Sequence, residues 1–295
     1  MRSKKLSPAP VLAWLFLLVL VLAALWPSLF TPFDPLANDL KNALQPPSWE
    51  HPLGTDQTGR DVLSRIVYGA RFSLLVGFGA ALGAAVIGTL LGVLLGSSPR
   101  WVDAFLMRAV EILMAFPDFL IALVVLAILG GGPLNVALAV LLGSIPAYIR
   151  LARSATLSAR QTDYAQAAAL LGVHPALVLR RHVVPATLRP IVVLATVGIG
   201  TAIVTASGLS FLGLGAQEPT PDWGLMLASS RDFLGKAWWL AVFPGLVIIL
   251  TVLSVSVVSR SYEAAQERVG QGGFLVRVMR VAGGRAPWRR ENTFL

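Results

Sequence analysis

The chain has 295 residues and a formal net charge of +9; it is 56% hydrophobic, only 13% charged, and its mean hydropathy is +0.73. That balance excludes an ordinary soluble domain and points to a protein whose solvent is largely lipid. The absence of cysteine excludes a disulfide framework or a thiolate site, and it leaves the compartment open.

The N-terminus, MRSKKLSPAP, is basic and precedes about twenty apolar residues at 11–30. No small-residue cleavage site follows Leu25-Trp26-Pro27, so an uncleaved anchor is expected, with Trp14 and Trp26 near its ends. The segment 31–71 holds five acidic and four basic residues, and its prolines (Pro32, Pro35, Pro46, Pro47) make the first part irregular. Its second part reads as an interfacial helix, with Val62, Ile66 and Val67 down and Arg60, Asp61 and Arg65 towards water.

The stretch 72–99 is uncharged and spans a core of about 30 Å at about 1.5 Å per residue. Gly79 with Gly83, and Gly88 with Gly92, form GxxxG steps that suit close helix contact. The next span, 101–129, contains Glu111, Pro117 and Asp118; the turn Gly130-Gly131-Gly132-Pro133 leads to a return at 134–149. Further spans are expected at 190–215 and 237–259, separated by a polar loop at 215–236 and followed by a basic tail with no clear periodicity. The reading is therefore an all-α integral membrane protein with six transmembrane helices. Its parts are an anchor and loop at 1–71, a core at 72–260 and a tail at 261–295. With the N-terminus inside, 18 of the 24 Lys and Arg fall on the inner side. Both termini and the loop 162–185 are thus expected in the cytoplasm. The same distribution accounts for the net charge, so no nucleic-acid partner is expected.

Residues 162–185, TDYAQAAALLGVHPALVLRRHVVP, carry an unusual density of polar groups between two apolar runs. Asp163 suits an N-cap, with Gln166 as its capping-box partner. Gly172 suits a left-handed C′ position, and Pro175 the first residue of a second short helix. Arg180, Arg181 and His182 fill the last turn of that helix before Pro185 stops it. A rigid helix-turn-helix at a membrane surface is a shape suited to being pushed by another protein.

Glu111 and Asp118 are intramembrane carboxylates seven residues apart, hence on one helix face. With Pro117 they are candidates for gating or the passage. The plainer reading pairs Glu111 with Arg108, three residues earlier, and lets Pro117 loosen the ladder at Asp118. A proton-coupled secondary transporter built on these two carboxylates is the alternative function, and a non-transporting membrane scaffold a third. No catalytic or metal site is expected. There are three histidines and no HExxH, Gly208-Leu209-Ser210 is followed by Phe211, and Gly235-Lys236 is followed by Ala237, so no P-loop is present.

The spacing Gln166-Ala167-Ala168, three residues, Gly172, then His182-Val183-Val184-Pro185 resembles the EAA loop of ABC-importer permeases, with Gln166 in place of the Glu, His182 of an apolar residue and Val184 of the Leu. HPLGTDQTGRDVLSRIVYGARFSL, RWVDAFLMRAVEILMAFP, GLSFLGLGAQEPTPDWGLML and AWWLAVFPGLVIILTVLS resemble, in order, the C-type subunits of the dipeptide, oligopeptide and nickel branch. Beyond Ser254, Ser256, Ser259 and Arg260 depart from the family ending. The resemblance implies a type I ABC-importer transmembrane domain that binds no cofactor, with ATP and Mg handled by partner subunits. Its implied partners are a homologous B-type permease, two ATPases, an extracytoplasmic substrate-binding protein and the lipid bilayer of a bacterial or archaeal inner membrane. Asp163, Tyr164, Gln166, Ala167, Ala168, Leu171, Gly172 and Pro185 would couple to the ATPase. Pro219, Pro221 and Trp223 would lie at the external mouth, where an interfacial tryptophan accounts equally well for Trp223.

Overall fold

The computed structural model describes residues 8–282. Among these the helices are α1 (Pro8–Leu25), α2 (Val62–Ser97), α3 (Arg100–Met114), α4 (Asp118–Leu129), α5 (Pro133–Arg160), α6 (Asp163–Leu170), α7 (Pro175–Val178), α8 (Val184–Phe211), α9 (Trp223–Ser229) and α10 (Trp239–Ala282). Strand pairing among the described residues is confined to an isolated bridge between Thr55 and Asp61. Five helical segments are long and apolar enough to cross a membrane. The pair α3 and α4 makes a sixth if the two count as one span bent by 91°.

Several boundaries differ from those read in the sequence. The expected interfacial helix is the first part of α2, which starts at Val62 and runs for 36 residues. Arg60, Asp61 and Arg65 do not face water; they are 6%, 4% and 2% exposed. The third span is broken rather than straight, because Pro117 takes an extended conformation (φ −57°, ψ 136°) and donates no N–H to the ladder. Glu111 and Asp118 therefore sit on separate helices and share no common face. Helix α5 continues past residue 149 to Arg160 through an internal Pro146, and α8 carries Pro190 inside it. Helix α10 runs to Ala282, so the first part of the tail is helical. Residues 283–295 lie outside the described ones.

The bundle is organised by the contact of α2 with α5, which run parallel. A Cβ on Gly88 would meet Tyr148 Cβ at 2.4 Å, one on Gly92 would meet Ala152 Cβ and the Ile149 carbonyl oxygen at 2.6 Å, and one on Gly96 would meet Thr156 at 2.8 Å. These glycines let the two backbones approach more closely than any side chain allows. The earlier GxxxG step does not work this way. Gly83 faces Leu141, but Gly79 has nothing within 4 Å. Around the α2–α5 seam, Ala80, Ala122, Leu126, Val136, Ala139 and Leu209 form an apolar core to which α2, α4, α5 and α8 contribute. Helix α1 packs outside it, its Leu20 and Ala24 meeting Ala70, Leu74 and Ile248. Leu12, Trp14, Leu15 and Leu18 of α1 stay exposed, as lipid-facing side chains do.

A direct test compares two glycines on α2. Gly92→Ala should force α2 and α5 apart and cost about 1–3 kcal/mol. Gly79→Ala should be neutral or slightly stabilising, since its Cβ enters open space. Thermal unfolding midpoints of the detergent-purified chain report the difference; equal midpoints would mean that the seam does not set the spacing.

Candidate functional site

At the end of the bundle where α5 terminates, the chain makes a rigid elbow from α6 and α7. Its turn is a Schellman motif: Gly172 N–H donates to the Ala169 carbonyl (3.0 Å) and Val173 N–H to that of Ala168 (3.1 Å). Gly172 adopts φ +78°, a conformation that favours glycine, in otherwise open space. His174 caps α7, its Nδ1 accepting from Ala176 N–H (3.3 Å), and Pro175 follows as the first helical residue.

The entry to α6 differs from the expected capping box. Thr162, not Asp163, is the N-cap residue, and no side chain caps the helix. The Thr162 hydroxyl donates backwards to the Ala159 carbonyl (2.7 Å), and Gln166 Nε2 donates to the Gln161 carbonyl (3.1 Å). Both bonds fasten α6 to the end of α5. Tyr164 stacks obliquely on His182, ring centroids 5.8 Å apart, which ties α6 to the chain beyond α7.

Pro185 does not stop the second helix. A π-helical turn at Leu179–Val183 joins α7 directly to α8, making one helical run of 37 residues, Pro175–Phe211. In the wide turn, Val184 N–H reaches the Leu179 carbonyl, and Pro185, which has no N–H to place, falls at the junction with the α-helical ladder. Sequence reasoning missed this continuity because proline is read as a breaker, and the wider turn that accommodates it has no reliable pattern in the residues.

The elbow stands off the bundle. Only Ala165, Val178 and Val183 of it are buried, and a cleft of about 640 Å³, lined by Ser97, Arg160, Gln166 and Gly172 among others, separates it from the ends of α2 and α5. Its tip presents apolar side chains to the surroundings: Leu170 is 88% and Leu171 84% exposed, with Tyr164 half-exposed beside them. Ala167 is exposed and Ala168 half-buried, so small side chains leave the α6 backbone approachable. Exposed leucines on a capped turn make the elbow a candidate protein-binding surface.

The other candidates lie elsewhere. Glu111 is exposed on α3, with Arg108 Nη1 3.9 Å from its carboxylate. Pro117 precedes α4, and Asp118, exposed, begins it. The Asp118 backbone meets α5 closely: a Cβ on Gly143 would lie 2.9 Å from the Asp118 carbonyl oxygen.

At the opposite end of the bundle, Pro219, Pro221 and Trp223 belong to a compact cap. Trp223 is wholly buried, its Nε1 donating to the Ile66 carbonyl (2.9 Å), so the interfacial-tryptophan reading does not hold. The cap is assembled around the buried charges of Asp56, Arg60 and Arg65, which meet the partly exposed carboxylate of Glu218, more than 150 residues away in the chain. Arg60 Nη1 donates to Glu218 (2.7 Å), Arg65 Nη2 to both Glu218 oxygens (3.3 Å each), and Asp56 lies 3.6 Å from Arg65 Nε. Arg65 also donates to the carbonyls of Pro35 and Pro219. Burial works against ionisation of Glu218, but the Arg60 hydrogen bond and the charges of Arg65 and Arg60 outweigh it and hold its carboxyl below the usual range. Asp222 caps α9 through Gly224 N–H (2.6 Å) and accepts from Ser210 Oγ (3.1 Å); burial, against these bonds, pushes its pKa up. Asp61 caps α2 through Ser64 N–H (2.7 Å) and contacts His51 Nδ1 (2.9 Å).

Comparison with known proteins bears on this arrangement. Residues 88–268 match the family described as the binding-protein-dependent transport system inner membrane component. The chain is 42% identical over 248 residues to the di/tripeptide transport system permease protein DppC of Pseudomonas aeruginosa, covering 82% of each chain. It is 41% identical to the dipeptide transport system permease protein DppC of Alkalihalophilus pseudofirmus, over 87% of this chain and 84% of that one. It is 43% identical to the glutathione transport system permease protein GsiD of Pectobacterium atrosepticum, over 83% and 81%. Among solved structures, the fold is similar to the MetNI methionine ABC transporter in an inward-facing conformation (TM-score 0.55, 20% identity, 68% of this chain and 95% of that one). It is also similar to an amino acid ABC transporter (TM-score 0.53, 14% identity, 68% and 94%).

The cap can be tested by pH. A carboxylate with a depressed pKa stabilises the fold above its unfolded pKa, and that contribution is lost as pH falls through the folded value. The cap of the wild type should therefore hold at pH 5 and loosen only in stronger acid. Glu218→Gln should remove that acid step, and Arg65→Ala, which strips a buried counter-charge, should cost about 3–5 kcal/mol. Tryptophan fluorescence during acid and urea titration reads both; an Arg65→Ala chain as stable as the wild type would refute the assignment.

Proposed function

The chain belongs to the binding-protein-dependent transport system inner membrane components, as an ABC-importer permease of the dipeptide and oligopeptide C type, and from that premise we propose that it lines half of a passage for short peptides, driven through the elbow at 163–183. It is a multi-pass membrane subunit, and the ATPase of such an importer is a separate subunit. The observation that carries the coupling reading is the elbow itself: capped, stood off from the bundle, apolar at its tip, and continuous with a membrane-spanning helix. A short helix seated in a surface cleft of an ATPase transmits displacement because it is too stiff to absorb it by bending.

In this reading Leu170, Leu171 and Tyr164 fill the ATPase cleft, and Ala167 and Ala168 permit close approach. With Gln166 occupied by the Gln161 carbonyl, shape rather than an ion pair makes the contact. The partners are a homologous B-type permease, two ATPases that hydrolyse MgATP, and an extracytoplasmic binding protein that delivers substrate. The membrane is the plasma membrane of a prokaryote, with the elbow in the cytoplasm and the cap outside. Glu111, Pro117 and Asp118 flank the break in the third span and so belong to the gate or passage. Pro219 and Pro221 belong to the external mouth, while Trp223 serves it by anchoring α9. Relatives named for dipeptides, di/tripeptides and glutathione motivate peptides and peptide-like thiols as substrates.

Orientation is checked by single cysteines, since the native chain has none. Ser158→Cys should be labelled only from the cytoplasm and Thr220→Cys only from outside; the reverse pattern would overturn the mechanism. For coupling, Gly172→Val and Gln166→Ala are compared in the whole complex in proteoliposomes. Gly172→Val should lower uptake per ATP hydrolysed severely, because a β-branched residue is strained at φ +78°. Gln166→Ala removes one hydrogen bond, about 1 kcal/mol, and should leave coupling nearly intact. Normal transport by Gly172→Val beside a defective Gln166→Ala would place the coupling in the polar contact instead.

A further inference from the structure

Helix α5 holds the two halves of the broken span at two separate places. Above Pro146, the Asp118 backbone at the start of α4 rests on Gly143, and Ala122 and Leu126 pack in one core with Val136, Ala139 and Val140. Below Pro146, Met107 and Val110 of α3 pack with Ile149 and with Leu95 of α2. There the first turn of α3 is clamped: the Arg153 guanidinium grips the Asp103 carboxylate with two hydrogen bonds, Nη2 to Oδ2 at 2.6 Å and Nε to Oδ1. The side chains are 28% and 14% exposed, so the pair is partly shielded from water. Pro146 lies between the two attachments, and because it donates no N–H it leaves the α5 ladder one bond short there. Two residues separate the end of α5, at Arg160, from the start of the elbow at Asp163.

We propose that Arg153 and Asp103 are positioning residues for transport: their bidentate pair makes α3 move with the lower arm of α5, so that displacement of the elbow changes the angle at the Ala115–Pro117 break. A rigid two-point grip transmits rotation as well as translation, which a single hydrogen bond or apolar contact does not. The upper arm keeps α4 in place, and the break, flanked by Glu111 and Asp118, is where the two movements differ. The inference rests on the reading of the elbow as the input of force.

The test uses the complete complex in proteoliposomes, with uptake and ATP hydrolysis measured on the same preparation. Asp103→Asn and Arg153→Gln should each lower peptide uptake per ATP by about fivefold or more. The exchange Asp103→Arg with Arg153→Asp should restore most of it, a rescue that mere filling of space does not predict. A second measurement stands apart from folding of these variants. Asp103→Cys with Arg153→Cys, bridged by a short bifunctional thiol reagent in a chain that has no other cysteine, should transport with coupling close to that of the wild type, because the tethered parts move together. Single variants with an unchanged uptake-to-hydrolysis ratio would overturn the proposal, as would a tethered pair that hydrolyses ATP without transport. If Gly172→Val uncouples while these variants do not, this inference alone fails; if Gly172→Val is also coupled, the elbow reading fails with it.

Discussion

Every other element takes its position from the close parallel contact of α2 and α5. Antiparallel neighbours can be joined by a short turn, but two parallel helices must be brought together by what lies between them. Here the intervening chain is the broken span α3–α4, which leaves α2 at Ser98-Pro99 and returns to α5 through Gly131 and Gly132. In lipid there is no hydrophobic drive to press helices together, so the contact relies on fit. Gly88, Gly92 and Gly96 supply it over the half nearer the elbow. Nearer the cap, Gly77 admits Ile203 of α8. Two spans, α5 and α8, are thereby fixed against one small-residue helix, and the broken span is left at the edge of the bundle, attached mainly to α5.

The two ends of this bundle are built on different physics. At the cap, charges are answered: the buried Arg60 and Arg65 by the buried Asp56 and the partly exposed Glu218, and the buried Asp61 by His51 and the first amides of α2. A buried pair adds little net stability over an apolar replacement, but breaking one is costly. Such a cluster therefore acts as a specificity device, holding the segment 31–61 and the chain around Glu218 in one relative arrangement. At the elbow, few side chains are buried, and the most exposed large ones, Leu170 and Leu171, are apolar. One end is closed on itself and the other is open to a partner.

Much of this was legible in the residues. The uncharged runs gave the membrane class and the number of spans, since length and hydropathy are set by the bilayer. Gly172 and Pro175 gave the elbow, because few residues suit their backbone positions. What was not legible depended on tertiary pairing. Arg60 and Arg65 look amphipathic and water-facing when only α2 is considered; their counter-charge, Glu218, is more than 150 residues away. Glu111 and Asp118 fall on one face only if the helix between them is straight, and Pro117 marks a 91° break where a local loosening is expected. Prolines misled in the other direction at 185 and 190, where the helix continues. A proline ends a helix only when the freed carbonyl and the ring find no accommodation, and the π turn at Leu179–Val183 provides it.

Because α7, the π turn and α8 are one run of 37 residues, about 55 Å long, the elbow is one end of a lever. The far end is pinned: Ser210 donates to Asp222, and α9 packs so tightly on α8 that a Cβ on Gly224 would lie 2.3 Å from the Ser207 carbonyl oxygen. Helix α2 is pinned at the same end by Asp61 and by the Trp223 bond to Ile66. On the proposed coupling, with both helices held at the cap, a push at the elbow cannot move the bundle as a rigid body relative to the cap. It has to be absorbed where the backbone ladders are already interrupted, at the π turn, at Pro190 in α8, at Pro146 in α5 and at the break before α4. Thr156 and Thr187, hydroxyl to hydroxyl at 3.2 Å, join the lower arms of α5 and α8, on the elbow side of Pro146 and Pro190, so the two arms share the displacement. The charged cap and the proline-interrupted middle are therefore parts of one design: without fixed upper ends, the same push would tilt the helices together and leave the passage between them unchanged.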